Sequence, residues 1–65
     1  METSELNSRR FTEIGWACDI GLDEVVAFDW NNRALRVVEP VRNGDYRAAV
    51  DRAIERALRL IEDAA

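Results

Sequence analysis

The chain contains no histidine and no lysine, and it has one cysteine, one proline and three glycines in 65 residues. Each shortage excludes a class of chemistry. A serine or cysteine hydrolase needs a base beside its nucleophile, and the usual base is histidine. Zinc sites built from cysteine and histidine are excluded on the same ground. A single cysteine, Cys18, cannot close an intrachain disulfide and suits a reducing compartment, so a cytoplasmic protein is expected. With neither lysine nor histidine in the chain to lower its pKa, Cys18 reads as a small core residue and not as a nucleophile. The glycines spell no phosphate-cradling loop, and Asp19, Asp23 and Glu24 lack the spacing of a calcium loop. No apolar run approaches the roughly 20 residues that cross a bilayer, and the N-terminus does not read as a signal peptide. Paired carboxylates could hydrolyse a glycoside, but a chain this short has little room for the cleft. The expectation is one domain over residues 1–65 that is not an enzyme and holds no metal or cofactor.

What is present is arginine, acid and one strong helical period. All nine basic residues are arginine, against 13 acidic ones, for a net charge of −4. The excess sits in front: residues 1–29 carry seven acids and two arginines, a net of −5, whereas residues 30–65 carry six acids and seven arginines, +1. From Asp45 to about Asp63 the apolar residues Tyr46, Val50, Ala53, Ile54, Ala57, Leu58 and Ile61 recur every three or four positions, one stripe of an amphipathic helix. Asp45 stands at the N-cap, behind the turn signal Asn43-Gly44. Arg47, Asp51, Arg52, Glu55, Arg56, Arg59, Glu62 and Asp63 face away from the stripe, as a solvated surface laced by pairs four residues apart. Direct nucleic-acid binding by this acidic chain is not expected.

Upstream, residues 1–9 read as a frayed terminus, although a short helix capped by Ser4 would also fit. Arg10 to Cys18 suits a first strand, with Ile14, Trp16 and Cys18 on one face. A turn over Asp19–Asp23 leads to strands Glu24–Trp30 and Arg33–Glu39 around Asn31-Asn32, residues that tolerate the positive φ of a type I′ hairpin. That turn pairs Phe28 with Leu35 and Val26 with Val37, and it places Val25, Ala27 and Val38 on the opposite face. A helix over Gly21–Trp30, capped by Asp23, is the competing pattern; β-branched and aromatic residues favour the strand. Pro40 ends the third strand because it has no N–H to donate. The fold class is α+β: a three-stranded antiparallel meander followed by one long C-terminal helix, β-β-β-α.

Two groups are candidates for partner binding. Asp19, Asp23, Glu24 and Asp29 place four carboxylates in eleven residues without a basic residue among them. Such spacing approaches that of phosphates along a nucleic-acid strand and would suit a basic groove, whereas the bland alternative is a solvated, solubilising turn. Trp16 and Trp30 are either core or interface anchors. A sheet with one helix also leaves one face bare, which favours pairing with a second copy or docking on a target.

In its general character (small, acidic, free of motifs, with the arginine and alanine usage of a GC-rich genome) the whole chain resembles the small anti-CRISPR proteins carried by phages of proteobacteria. The resemblance implies a cytoplasmic, non-catalytic inhibitor that binds a CRISPR effector complex and blocks DNA capture or nuclease recruitment, in some cases by DNA mimicry. It transfers no functional position. The rival class is an antitoxin-like module that neutralises a partner protein; such proteins ordinarily add a DNA-binding segment, for which no pattern is seen. A structural subunit of a phage particle is a third class.

Overall fold

The computed structural model describes residues 3–64 as α1 (Thr3–Glu13), β1 (Trp16–Ile20), β2 (Glu24–Asp29), β3 (Asn32–Pro40) and α2 (Tyr46–Ala64). The strands form one antiparallel sheet in the order β1-β2-β3. The molecule is flat, 34 × 31 × 17 Å. A thickness of 17 Å accommodates one sheet and one layer of helices, which pack about 10 Å apart, and nothing more. α2 lies over β2 and β3, and α1 lies beside it against β1.

α2 begins and packs as the sequence demands. Asn43 and Gly44 take positive φ, 53° and 70°, to turn the chain. The Asp45 carboxylate then accepts the Ala48 amide at 3.1 Å, which satisfies one orphan donor of the first turn. Ala49, Ala53, Ile54, Ala57 and Leu58 are buried against the sheet, with Val50 and Ile61 half-buried at its border. Three of these are alanines with no exposed surface, so the helix backbone approaches the strands closely. Tyr46, at the start of the stripe, is more exposed and donates its hydroxyl to the Leu22 carbonyl at 2.9 Å.

The N-terminal third differs from expectation. Residues 3–13 form a helix where a frayed segment over 1–9 and a strand from Arg10 are expected; Met1 and Glu2 lie outside the described residues. The helix stops on Gly15, whose φ of 84° is a left-handed cap, with the Gly15 amide bonded to the Thr12 carbonyl at 3.1 Å. The cap reverses the chain so that Phe11 packs on Trp16, ring centroids 6.1 Å apart. Both residues are buried, and they close the core at the β1 side. β1 therefore starts at Trp16, with Trp16 and Cys18 facing the helices as the alternation requires.

The hairpin also departs from expectation, and the departure exchanges the two faces of the central strand. The turn residues are Trp30 and Asn31, not Asn31-Asn32, because the Asp29 carboxylate accepts the Asn31 amide at 2.9 Å and closes the turn one residue early. Between the pairs Asp29↔Asn32 and Phe28↔Arg36 the chain advances one residue on β2 and four on β3, a bulge that absorbs Arg33 to Leu35. Beyond it Ala27 pairs with Val37, Val26 with Val38 and Val25 with Glu39. Val25, Ala27 and Val37 are thus buried beneath α2, and Val26, Phe28 and Val38 lie on the face the helices leave bare. Pro40 ends β3, as expected.

Candidate functional site

One buried charge shapes the helix side of the sheet. Glu39 follows Val37 on the inward face of β3 and keeps only 9% of its surface exposed. Burying a carboxylate is costly unless it is paired, and two arginines from successive turns of α2 reach it. Arg52 Nε lies 3.2 Å from one oxygen and Arg56 Nη1 lies 2.5 Å from the other. The same guanidiniums donate to the Pro40 and Val38 carbonyls at 3.0 and 3.1 Å. They therefore occupy acceptors that β3, an edge strand, would otherwise present to another chain. This corrects the picture of α2 as a surface laced within itself. Among the described residues the ion pairs are Arg52–Glu39, Arg56–Glu39 and Arg10–Glu62 at 2.7 Å, and none joins residues four apart on the helix. A carboxylate on an inward strand position, together with two arginines one turn apart, was the signal in the sequence.

The clamp makes a stability prediction. Arg52→Ala or Arg56→Ala alone leaves one partner on Glu39 and is expected to cost about 1 kcal/mol, discounted because both arginines are half-exposed. The double variant strands the carboxylate in the core and is expected to cost about 2–3 kcal/mol, more than the two singles together. Thermal or urea melts of the three variants check the order.

The six partner-binding candidates do not form one site. Trp16 is 6% exposed and belongs to the core, the first of the two alternatives its sequence position offers. Trp30 is 61% exposed at the hairpin tip, 6.1 Å from Phe28, and the Arg33 guanidinium lies over both rings, 5.1 and 5.3 Å from their centroids. Asp29 serves the hairpin turn at the far end of β2 from Glu24, about 17 Å away at strand rise. The remaining three carboxylates, Asp19, Asp23 and Glu24, are exposed around the β1–β2 turn, and none is in an ion pair among the described residues. Asp19 shares the bare sheet face with two arginines: with Val26, Phe28, Arg33 and Arg36 it lines a shallow depression of about 250 Å³. The four carboxylates are therefore not one uninterrupted acidic surface.

Sequence patterns gave no notice of the residue at the centre of that turn. Leu22 is 88% exposed, the most exposed large apolar side chain among the described residues, and Ile20 beside it is 56% exposed. The turn that carries it is held by three hydrogen bonds: Gly21 N to Glu24 O at 2.8 Å, Val41 N to Asp23 O at 2.8 Å, and the Tyr46 hydroxyl to Leu22 O. A leucine on a pinned backbone loses little freedom on binding, which is how interface anchors are presented.

Elsewhere the chemistry is quiet. Cys18 is half-buried against the core, and desolvation raises its thiol pKa above the ordinary value, opposite to what a nucleophile requires. Among the described residues no cluster of three or more histidine, cysteine, aspartate or glutamate side chains is placed to hold a metal ion, and no helix is long and apolar enough to cross a membrane. Compared with known proteins, the chain matches no family model, no curated protein and no solved structure.

Proposed function

We propose that the protein is a non-catalytic inhibitor that docks on a basic, nucleic-acid-handling protein complex, of which a CRISPR effector is the first to assay. The observation that carries this reading is the β1–β2 turn: an 88%-exposed leucine on a hydrogen-bonded backbone, bordered by the carboxylates of Asp23 and Glu24, which have no ion-pair partner among the described residues. An apolar knob among acids suits a groove lined with arginine and lysine, where the acids draw the turn in and the leucine fills a gap between the cationic side chains. Asp29 has no part in this reading, since its carboxylate serves the hairpin turn, and Trp16, buried in the core, is not one of its apolar anchors.

The test uses purified effector complexes and labelled target DNA. The parent protein is expected to reduce DNA binding, and to do so less well as salt shortens the screening length below about 8–10 Å. The triple variant Leu22→Ala, Asp23→Asn, Glu24→Gln is expected to stay folded, because all three side chains are exposed, and to lose inhibition by at least about tenfold. A variant as potent as the parent, or a parent that blocks no effector, would refute the reading.

A further inference from the structure

We infer that the bare face of the sheet is a self-association surface, on which two copies pack with the acidic β1 edge of one over the basic β3 edge of the other. The face has an apolar centre: Ala17, Val26 and Phe28 are half-buried, and Val38 is 41% exposed. Its edges carry opposite charge, with Asp19 on β1 and Arg36 on β3. Neither has an ion-pair partner among the described residues, whereas Arg33 is engaged with the rings of Phe28 and Trp30.

Geometry turns this charge pattern into a choice of partner and of symmetry. The cross-strand rows run Ala17–Phe28–Arg36 and, two residues along, Asp19–Val26–Val38. A two-fold axis parallel to the strands, lying between two stacked sheets, carries β1 of one copy over β3 of the other and keeps each row at its own height. Asp19 then faces Val38 of the second copy, with Arg36 of that copy one row away, about 7 Å along the strand and within reach of a long side chain. The contact occurs twice by symmetry. An axis across the strands would instead set β1 over β1 and β3 over β3, bringing like charges together. The pattern of this chain is therefore complementary to itself in one of the two arrangements.

The size of the face sets the strength. Three strands spaced about 4.8 Å apart and five or six residues long offer roughly 14 by 20 Å on each copy, about 600 Å² in all and below the roughly 1,000 Å² of a stable interface, so the pairing is a weak, transient one. A dissociation constant on the order of 100 µM is expected. The inference does not rest on the inhibitor role, and the parallel axis leaves both copies presenting the β1–β2 turn at the same end of the dimer.

Sedimentation of the full chain between about 1 µM and about 1 mM tests it. The parent is expected to move from monomer to dimer across that range. Asp19→Arg and Arg36→Asp should each weaken association by about tenfold or more, since each places like charges at both symmetric contacts. An equimolar mixture of the two variants should recover it, as should the double variant alone. Circular dichroism distinguishes unfolding from dissociation, and recovery in the mixture requires both variants to be folded. A parent that stays monomeric at about 1 mM overturns the inference. So does a dimer that tolerates both reversals, or a double variant that remains as weak as the singles.

Discussion

Ile54→Ala and Leu58→Ala are each expected to lower stability by about 2–5 kcal/mol, a large fraction of the roughly 3–10 kcal/mol that a chain this long has in total. Both side chains are nearly enclosed, at 5% and 6% exposure, and they are the largest apolar groups that α2 places in the core. Their neighbours on the stripe, Ala49, Ala53 and Ala57, are already as small as a side chain can be without becoming glycine. A cavity opened at position 54 or 58 therefore cannot be filled from along the helix. On the sheet side the residues that would have to move, Val25, Ala27 and Val37, are held by strand pairing on β2 and β3. A domain of this size has no second core to fall back on. Leu60→Ala is the control within the same helix: it is 42% exposed and should cost no more than about 1 kcal/mol. Urea melts of the three variants measure the contrast.

How far the sequence could be read varied with how many independent signals agreed at each place. α2 was legible almost to the residue, because the helical period, the Asp45 cap and the Asn43-Gly44 turn all point the same way, and each recurs in the structure as burial, a hydrogen bond or a positive φ. The meander and its strand order were legible as well. Its register was not. Val25, Val26, Ala27 and Phe28 are apolar on both faces, so alternation could not choose between them, and the choice fell to the turn. There Asn31-Asn32 suggested a type I′ loop, but neither asparagine takes positive φ; Asp29 captures the Asn31 amide and the β3 bulge absorbs the surplus. α1 is only the second reading of its stretch, behind a frayed terminus and a strand, because its signals are weak: a Ser4 cap, one buried side chain, Phe11, and a glycine that serves equally well inside a strand or as a helix cap.

The candidate site was legible in part. Composition located the acidic turn, and three of its four carboxylates do surround it. The pairing of Asp19 with a face that also bears Arg33 and Arg36 needed the register. The prominence of Leu22 needed the fold, since a leucine between glycine and aspartate in a turn gives no pattern from which exposure could be read. The Glu39 clamp needed the fold in another way: Glu39 shares the face of Val37 in either register, but which arginines of α2 reach it is set by how the helix lies over β3.

Both the self-association surface and the placement of the clamp depend on which face of β2 the helices cover. Adjacent residues of one strand decide it: Val25 has no exposed surface, whereas Val26 lies half-buried on the bare face. Val25→Asp is expected to unfold the protein, because an unpaired carboxylate beneath α2 costs several kcal/mol against a total stability of about 3–10 kcal/mol for a chain this long. Val26→Asp is expected to cost about 1 kcal/mol and to keep a cooperative melt. The measurement is a pair of thermal melts followed by circular dichroism at about 1 µM, where association is negligible. A folded Val26→Asp beside an unfolded Val25→Asp is the predicted result. The reverse, with Val25→Asp folded and Val26→Asp not, would restore the register of the Asn31-Asn32 turn and contradict the face assignment from which the dimer was inferred.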